Sequence, residues 1–152
     1  MLERALRLAR RAAREGEVPV GAVVYRGREV VAEAWNRREF HADPVGHAEL
    51  VALRDAGRRL GRWRLHDCSI AVTLEPCAMC AGAMVNARVS RLVYGASDPK
   101  AGACESLYEI ATDARLNHRL AVHRGVMARE CGAVLTRFFA ARRRAKRSVA
   151  GP

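Results

Sequence analysis

One imidazole, two thiols and a carboxylate are spaced along this chain so that they could act together: His47-Ala48-Glu49, then Pro76-Cys77-Ala78-Met79-Cys80. Imidazole nitrogen and thiolate sulfur are good zinc ligands. A structural zinc site is closed by four protein ligands, whereas a catalytic one keeps three and leaves the fourth place for water. The ion lowers the pKa of that water toward neutrality. His47, Cys77 and Cys80 supply the three. Glu49, two residues beyond His47, is not needed by the metal and stands close enough to exchange protons with the water. Taken alone, Cys77 and Cys80 could be a redox pair or half of a structural zinc site, and a single His ahead of a helix is commonly a polar residue near a cap. With Glu49 in step, the set reads as a hydrolytic site with one Zn2+ per chain.

The elements that must position these residues follow from periodicity and punctuation. Leu2, Ala5, Leu6, Ala9, Ala12 and Ala13 share one side of a helix over residues 2–15, with arginines between them. Val18–Tyr25 and Val30–Trp35 are β-rich runs around the hairpin signal Arg26-Gly27-Arg28. Residues 36–46 read as a loop, and a second helix starts near His47. Cys68–Leu74 is a nearly continuous apolar run, as expected of a strand covered on both faces. Pro76 then opens a helix of small residues from Cys77 to Ala87, where its missing N–H costs nothing. A strand at 91–95, a loop at 96–105, a short helix near 106–111 and a strand near 120–123 precede a final helix from Met127. That helix is expected to bury Cys131, Val134, Leu135 and Phe138 before the run Arg142-Arg143-Arg144-Ala145-Lys146-Arg147.

The order α-β-β-α-β-α-β-α-β-α predicts a three-layer α/β/α fold, a five-stranded mixed sheet with helices on both faces. The ligands then fall at the N-termini of two helices. Free N–H groups and partial positive charge there favour thiolates, and Cys77 and Cys80 lie one turn apart. Residues 1–147 are expected to form a single domain, with 148–152 a disordered tail.

Composition narrows the partners. With 27 basic and 16 acidic residues the net charge is +11, which favours a polyanion, nucleic acid before acidic membrane. No run approaches the ~20 apolar residues of a membrane span. The arginine-rich N-terminus lacks the apolar stretch of a secretory signal, and five cysteines, an odd number, fit a reducing compartment; both point to the cytoplasm. Cys68 and Cys131 read as buried fillers, Cys104 as partly exposed in its loop, and Trp35 as core.

These residues resemble the bacterial tRNA-specific adenosine deaminases of the cytidine-deaminase-like superfamily. The H-x-E…P-C-x-x-C signature marks zinc-dependent nucleobase deaminases. The resemblance extends through Glu17-Val18-Pro19-Val20-Gly21-Ala22-Val23, Trp35-Asn36-Arg37, Asp43-Pro44, Val72-Thr73-Leu74-Glu75, Cys80-Ala81-Gly82-Ala83-Met84, Tyr94-Gly95-Ala96, Asn117-His118 and Phe138-Phe139. It covers roughly residues 2–143. It implies zinc on His47, Cys77 and Cys80, with Glu49 as proton shuttle. It also implies that Asn36 and the Ala48 N–H hold the target base, and that Asp98 and Lys100 meet neighbouring nucleotides. Phe139, Arg142 and Arg143 would then meet a tRNA anticodon stem-loop, and the enzyme would be a homodimer.

The implied reaction is hydrolytic deamination of adenosine to inosine at the wobble position. This chain departs from the family pattern in having Val45-Gly46 for Thr-Ala, Glu105 for Gly and Ala34 for Gly. None of these is a metal ligand; they bear on substrate fit. Two other readings stay open. A small-molecule deaminase acting on cytosine, guanine or a nucleoside shares the zinc motif and needs no basic surface. A zinc-stabilised RNA-binding module would leave Glu49 without a role.

Overall fold

The computed structural model describes residues 1–149. Five strands, β1 (Gly21–Arg26), β2 (Glu29–Trp35), β3 (Ser69–Leu74), β4 (Arg91–Ala96) and β5 (Ala121–His123), form one sheet in the order β2-β1-β3-β4-β5. β1 pairs antiparallel with β2 and β3, whereas β3–β4 and β4–β5 are parallel. The mixed five-stranded sheet is the architecture expected from the sequence. Helices α1 (Leu2–Arg14), α2 (Arg38–His41), α3 (Ala48–Leu60), α4 (Ala78–Asn86) and α5 (Ala128–Val149) complete the chain, with a 3-10 turn at Ile110–Thr112.

Alternation along the strands divides the interior in two. Ala22 and Val24, Ile70 and Val72, and Leu92 and Tyr94 face a large core shared with α3 and α4. Val23, Ala71 and Val93 point the other way, into a smaller core closed by Leu2, Ala5 and Leu6 of α1 and by Cys131 and Val134 of α5. Helix α1 lies on the sheet backbone itself. A Cβ at Gly21 would collide with the Ala5 carbonyl oxygen and come within 2.8 Å of the Ala9 nitrogen, so only glycine fits.

Several local expectations are corrected. β1 begins at Gly21 and not Val18, because Pro19 has no N–H and the Val20 N–H turns back onto the Val18 carbonyl at 2.8 Å. The loop after β2 contains α2, one turn of helix ended by Ala42 in the left-handed region. The helix expected at 106–111 is reduced to the 3-10 turn. Leu135 and Phe138 are half-buried, since α5 rests on the sheet only through its first turns. Trp35 is half-buried as well, between the Arg11 and Arg37 guanidinium groups at 3.9 and 4.3 Å, with its indole N–H donating to Glu15 at 2.7 Å. Cys104 is fully buried, as are Cys68 and Cys131. Ser148 and Val149 continue α5; the rest of the expected tail lies outside the described residues.

Candidate active site

Two helix starts converge at the C-terminal end of β3. His47 is the N-cap of α3 and Cys77 the N-cap of α4, both with extended backbone, and Cys80 sits in the first turn of α4. The approach to α3 is fixed by hydrogen bonds. Asp43 Oδ1 accepts the Val45 N–H at 2.9 Å, and the Gly46 carbonyl accepts the Arg37 N–H at 2.9 Å. The result brings His47 Nδ1 within 3.7 Å of Cys77 Sγ and 3.5 Å of Cys80 Sγ. One ligand atom from each of the three residues lies within 4.8 Å of the others. An imidazole and two thiols gathered on one point, beside helix N-termini, suit a zinc ion, and three donors leave one coordination place over.

The electrostatics agree with that use. The Cys77 thiol is held down to about 3, first by a hydrogen bond from Cys80 and then, against burial, by His47. Cys80 is pushed up, first by the bond it makes to Cys77 and then by burial. His47 is raised, chiefly by its bond to Cys77. Ligation by both sulfurs requires both thiols to give up their protons, which a bound cation favours. Glu49 is 4% exposed. Burial pushes its carboxyl above the ordinary range, against its own backbone N–H, His47 and Cys80.

His47, Glu49 and Cys77 line a cavity of about 220 Å³ together with Asn36, Arg38 and Asp98. Asn36, at the end of β2, is buried. Its amide N–H donates to the buried Glu17 at 3.3 Å, and the other Glu17 oxygen accepts the Phe40 N–H at 2.8 Å. Ala48, between His47 and Glu49, is fully buried at the start of α3, where the first N–H groups have no intrahelical acceptor.

A second cavity of about 620 Å³ shares Val18, Leu74 and Asp98 with the first. It continues outward along Lys100, Phe139 and Arg143. Four of the residues singled out for substrate contact, Asp98, Lys100, Phe139 and Arg143, therefore line one groove that leads to the metal-ligand cluster. Arg142 does not. It points to the other flank of α5, 3.7 Å from Glu39 and over the Phe138 ring at 5.9 Å. Asp98 is partly occupied by its own loop, its Oδ1 accepting the Lys100 and Ala101 N–H groups at 3.0 and 3.3 Å.

Sequence reasoning gave no role to Glu75, which organises this loop. Its buried carboxylate accepts the backbone N–H groups of Asp98, Cys104, Glu105 and Ser106 and the Ser106 hydroxyl. Burial alone would raise its pKa; those donors, led by Ser106, hold it below the ordinary value. A Cβ at Gly102 would run into this carboxylate, so the loop closes over it only with glycine. An acidic residue directly between an apolar strand and Pro76 was the available signal. Glu105, the unexpected charge, is neutralised: the Tyr94 hydroxyl donates to it at 2.9 Å and Arg124 pairs with it at 2.7 Å. His118 donates from Nε2 to the Val89 carbonyl at 2.7 Å, and Asn117 accepts from Arg88, so this pair ties down the segment before β5.

The MafB19-like deaminase family matches residues 1–143. A Haemophilus influenzae protein named tRNA-specific adenosine deaminase is 45% identical over 148 residues, covering 97% of this chain and 86% of that protein. Among solved structures, a tRNA:A34 deaminase of A-to-I editing at the wobble position of transfer RNA superimposes with a TM-score of 0.84 at 41% identity, over 88% of this chain and 96% of that one. A guanine deaminase from Bacillus subtilis is 38% identical, with a TM-score of 0.62 over 63% of this chain and 62% of that one.

Proposed function

The chain belongs to the MafB19-like deaminase family, with tRNA-specific adenosine deaminases among its relatives, and from that premise we propose that it converts adenosine to inosine at the wobble position of a tRNA anticodon. One observation carries the proposal. His47, Cys77, the buried Glu49 and Asn36 share a cavity sized for one base, with Cys80 buried beside His47 and Cys77, and that cavity adjoins a groove edged by Lys100, Phe139 and Arg143. A site for free bases needs no such groove. The relatives point the same way, since the wobble deaminase combines 41% identity with a TM-score of 0.84 over most of both chains.

His47, Cys77 and Cys80 would hold one zinc ion, which when bound would supply an acidified, nucleophilic water at neutral pH. Glu49 takes a proton from the attacking water and delivers it to the adenine ring nitrogen, which makes the amine-bearing carbon electrophilic. It then passes a second proton to the departing amine. Water in and ammonia out leave the base edge an acceptor where it was a donor. Glu49 suits the shuttle because burial raises its proton affinity. Asn36 and the Ala48 N–H orient the base, and the buried walls of the cavity exclude bulk water. An anticodon loop offers an unstacked base at small cost. Asp98, Lys100, Phe139 and Arg143 receive the flanking nucleotides, with Arg142 at the margin.

Residues 1–147 act as one catalytic domain, working in the cytoplasm as a homodimer. No helix among the described residues is long and apolar enough to cross a membrane. The test is ammonia release from a tRNA with adenosine at the wobble position, the same tRNA with guanosine there, and free adenosine, cytosine and guanine. Turnover confined to the first substrate, with inosine in the product, is the expected result. Turnover of a free base or nucleoside without the tRNA would replace this reading by small-molecule deamination.

A further inference from the structure

Helix α5 has two flanks, and the catalytic groove uses one. The other faces α1 across a separate concavity of about 430 Å³. Its floor is apolar, with Ala13, Val134, Phe138 and Ala141, and its rim is Arg10, Arg14 and Arg137. On α1 the spacing Arg7, Arg10, Arg14 puts three guanidinium groups on one stripe. On α5, Arg144 follows Arg137 after two turns. All five are exposed, and among the described residues none lies within 4.0 Å of a carboxylate. Their neighbours behave otherwise: Arg4 is paired with Glu33, Arg11 with Glu15 and Arg142 with Glu39. Most of the nearby acids are thus engaged elsewhere, Glu130 beside Arg129 included; Glu3, one turn before Arg7, is in no ion pair and leaves Arg10, Arg14, Arg137 and Arg144 unaffected. Gathering unpaired cations on two rigid helices costs self-repulsion unless a polyanion neutralises them.

We propose that this α1–α5 groove is a second RNA-binding surface, taking backbone phosphates of the stem of the same tRNA whose loop enters the catalytic groove. The inference rests on the tRNA reading above. Two features choose RNA over another polyanion. The concavity follows two helices as a track and not as a cup around a single anion. It also lies across one helix, about 10 Å in diameter, from the groove that leads to Glu49. Leu135, Thr136, Phe139 and Arg143 border the catalytic groove, while Val134, Arg137, Phe138 and Ala141 border the other. One helix therefore separates where the base reacts from where its stem is held. No base is read here; the contacts set register and affinity.

The test compares wild type with the triple variant Arg10→Gln, Arg14→Gln, Arg137→Gln. A control of equal charge change, Arg28→Gln, Arg64→Gln, Arg91→Gln, lies near the opposite end of the sheet. Substrates are an intact tRNA and a hairpin holding the anticodon loop with only a few base pairs. The triple variant should raise KM for intact tRNA about tenfold, with kcat within twofold, and should handle the hairpin like wild type. Its log K against log salt slope on tRNA should flatten by about two units, from ~0.7–0.9 per lost phosphate contact. Parallel slopes, equal losses on both substrates, or an equal loss in the control would overturn the inference. A wild type that does not turn over tRNA at all would instead overturn the functional reading. Should the triple variant melt below wild type, the single variants Arg10→Gln and Arg14→Gln at exposed positions carry the same comparison. Binding to vesicles of anionic lipid that competes with tRNA at equal strength would reject RNA as the occupant.

Discussion

Glu49 and Glu75 are both buried carboxylates beside the same cavity, 4% and 2% exposed, yet their surroundings push them in opposite directions. Burial dominates at Glu49 and raises its pKa. At Glu75 the burial penalty is overcome by four backbone N–H groups and a hydroxyl, and the pKa falls. Burial by itself therefore does not make a catalytic acid. A carboxylate whose acceptor sites are filled by fixed donors holds its charge permanently and serves as an anchor. One that meets few donors binds and releases a proton at modest cost.

The comparison breaks first at Glu49. Glu49→Gln keeps the shape and removes the proton carrier, so turnover should fall by ~10²–10⁴-fold or more, since two transfers depend on one group. Zinc content and melting temperature should stay near wild type; Cys80→Ala, by contrast, should lose the metal. Activity within tenfold of wild type in Glu49→Gln would assign the shuttle to another residue.

Glu75 should respond in stability before it responds in chemistry. Glu75→Gln turns an amide toward backbone N–H donors and leaves several unsatisfied. Hydrogen bonds to charged groups are worth roughly 1.5–3 kcal/mol each, so a net loss of about 3 kcal/mol is expected, or roughly 6–12 °C in Tm for a chain of this size. The pH dependence has a definite sign. A carboxylate with a depressed folded pKa contributes stability above its ordinary 4.5, and that contribution is lost as pH falls through the lower folded value. The Tm difference between wild type and Glu75→Gln should therefore be full at neutral pH and shrink in acid below 4.5. A difference independent of pH would mean that the ionised form is not what the loop binds.

These residues also mark how far the sequence could be read. His47, Cys77, Cys80 and Glu49 were legible because local geometry fixes their relation: two helix N-caps, one helical turn between thiols, and a carboxylate two residues from the imidazole. Layer order was legible for the same reason, since the β-rich runs of β1 and β2, the nearly continuous apolar run of β3 and the small-residue helix α4 are short-range patterns. Glu75 was not, because its partners lie 23 to 31 residues away in a loop without periodicity. Cys104 was misplaced by the same loop, which folds its thiol inward when its N–H reaches Glu75. Trp35 reads as core by residue type, but the arginines that stack on it come from α1 and from the turn after β2. Pairings across sequence distance are the part that spacing does not encode.

The smallest expected effect extends the same distinction, filled against free, from carboxylates to two neighbouring arginines. Arg142 and Arg143 are adjacent, so the helix turns them about 100° apart and they cannot serve one surface. Arg142 is engaged by Glu39 and the Phe138 ring, whereas Arg143 borders the groove beside Lys100 and Phe139. Both are exposed enough that removing either should leave the fold intact. Arg143→Gln should weaken binding of an anticodon stem-loop by a few-fold and flatten its log K against log salt slope by ~0.7–0.9, one phosphate contact. Arg142→Gln should leave the slope unchanged, because its charge already has a partner. A salt series on the two single variants reads the difference directly. If both slopes shift alike, the Arg142–Glu39 pair opens when RNA arrives, and the α5 run acts as one diffuse positive surface. If neither shifts, the groove beside Arg143 holds no phosphate, and the flanking nucleotides must be bound by Lys100 and Phe139 alone.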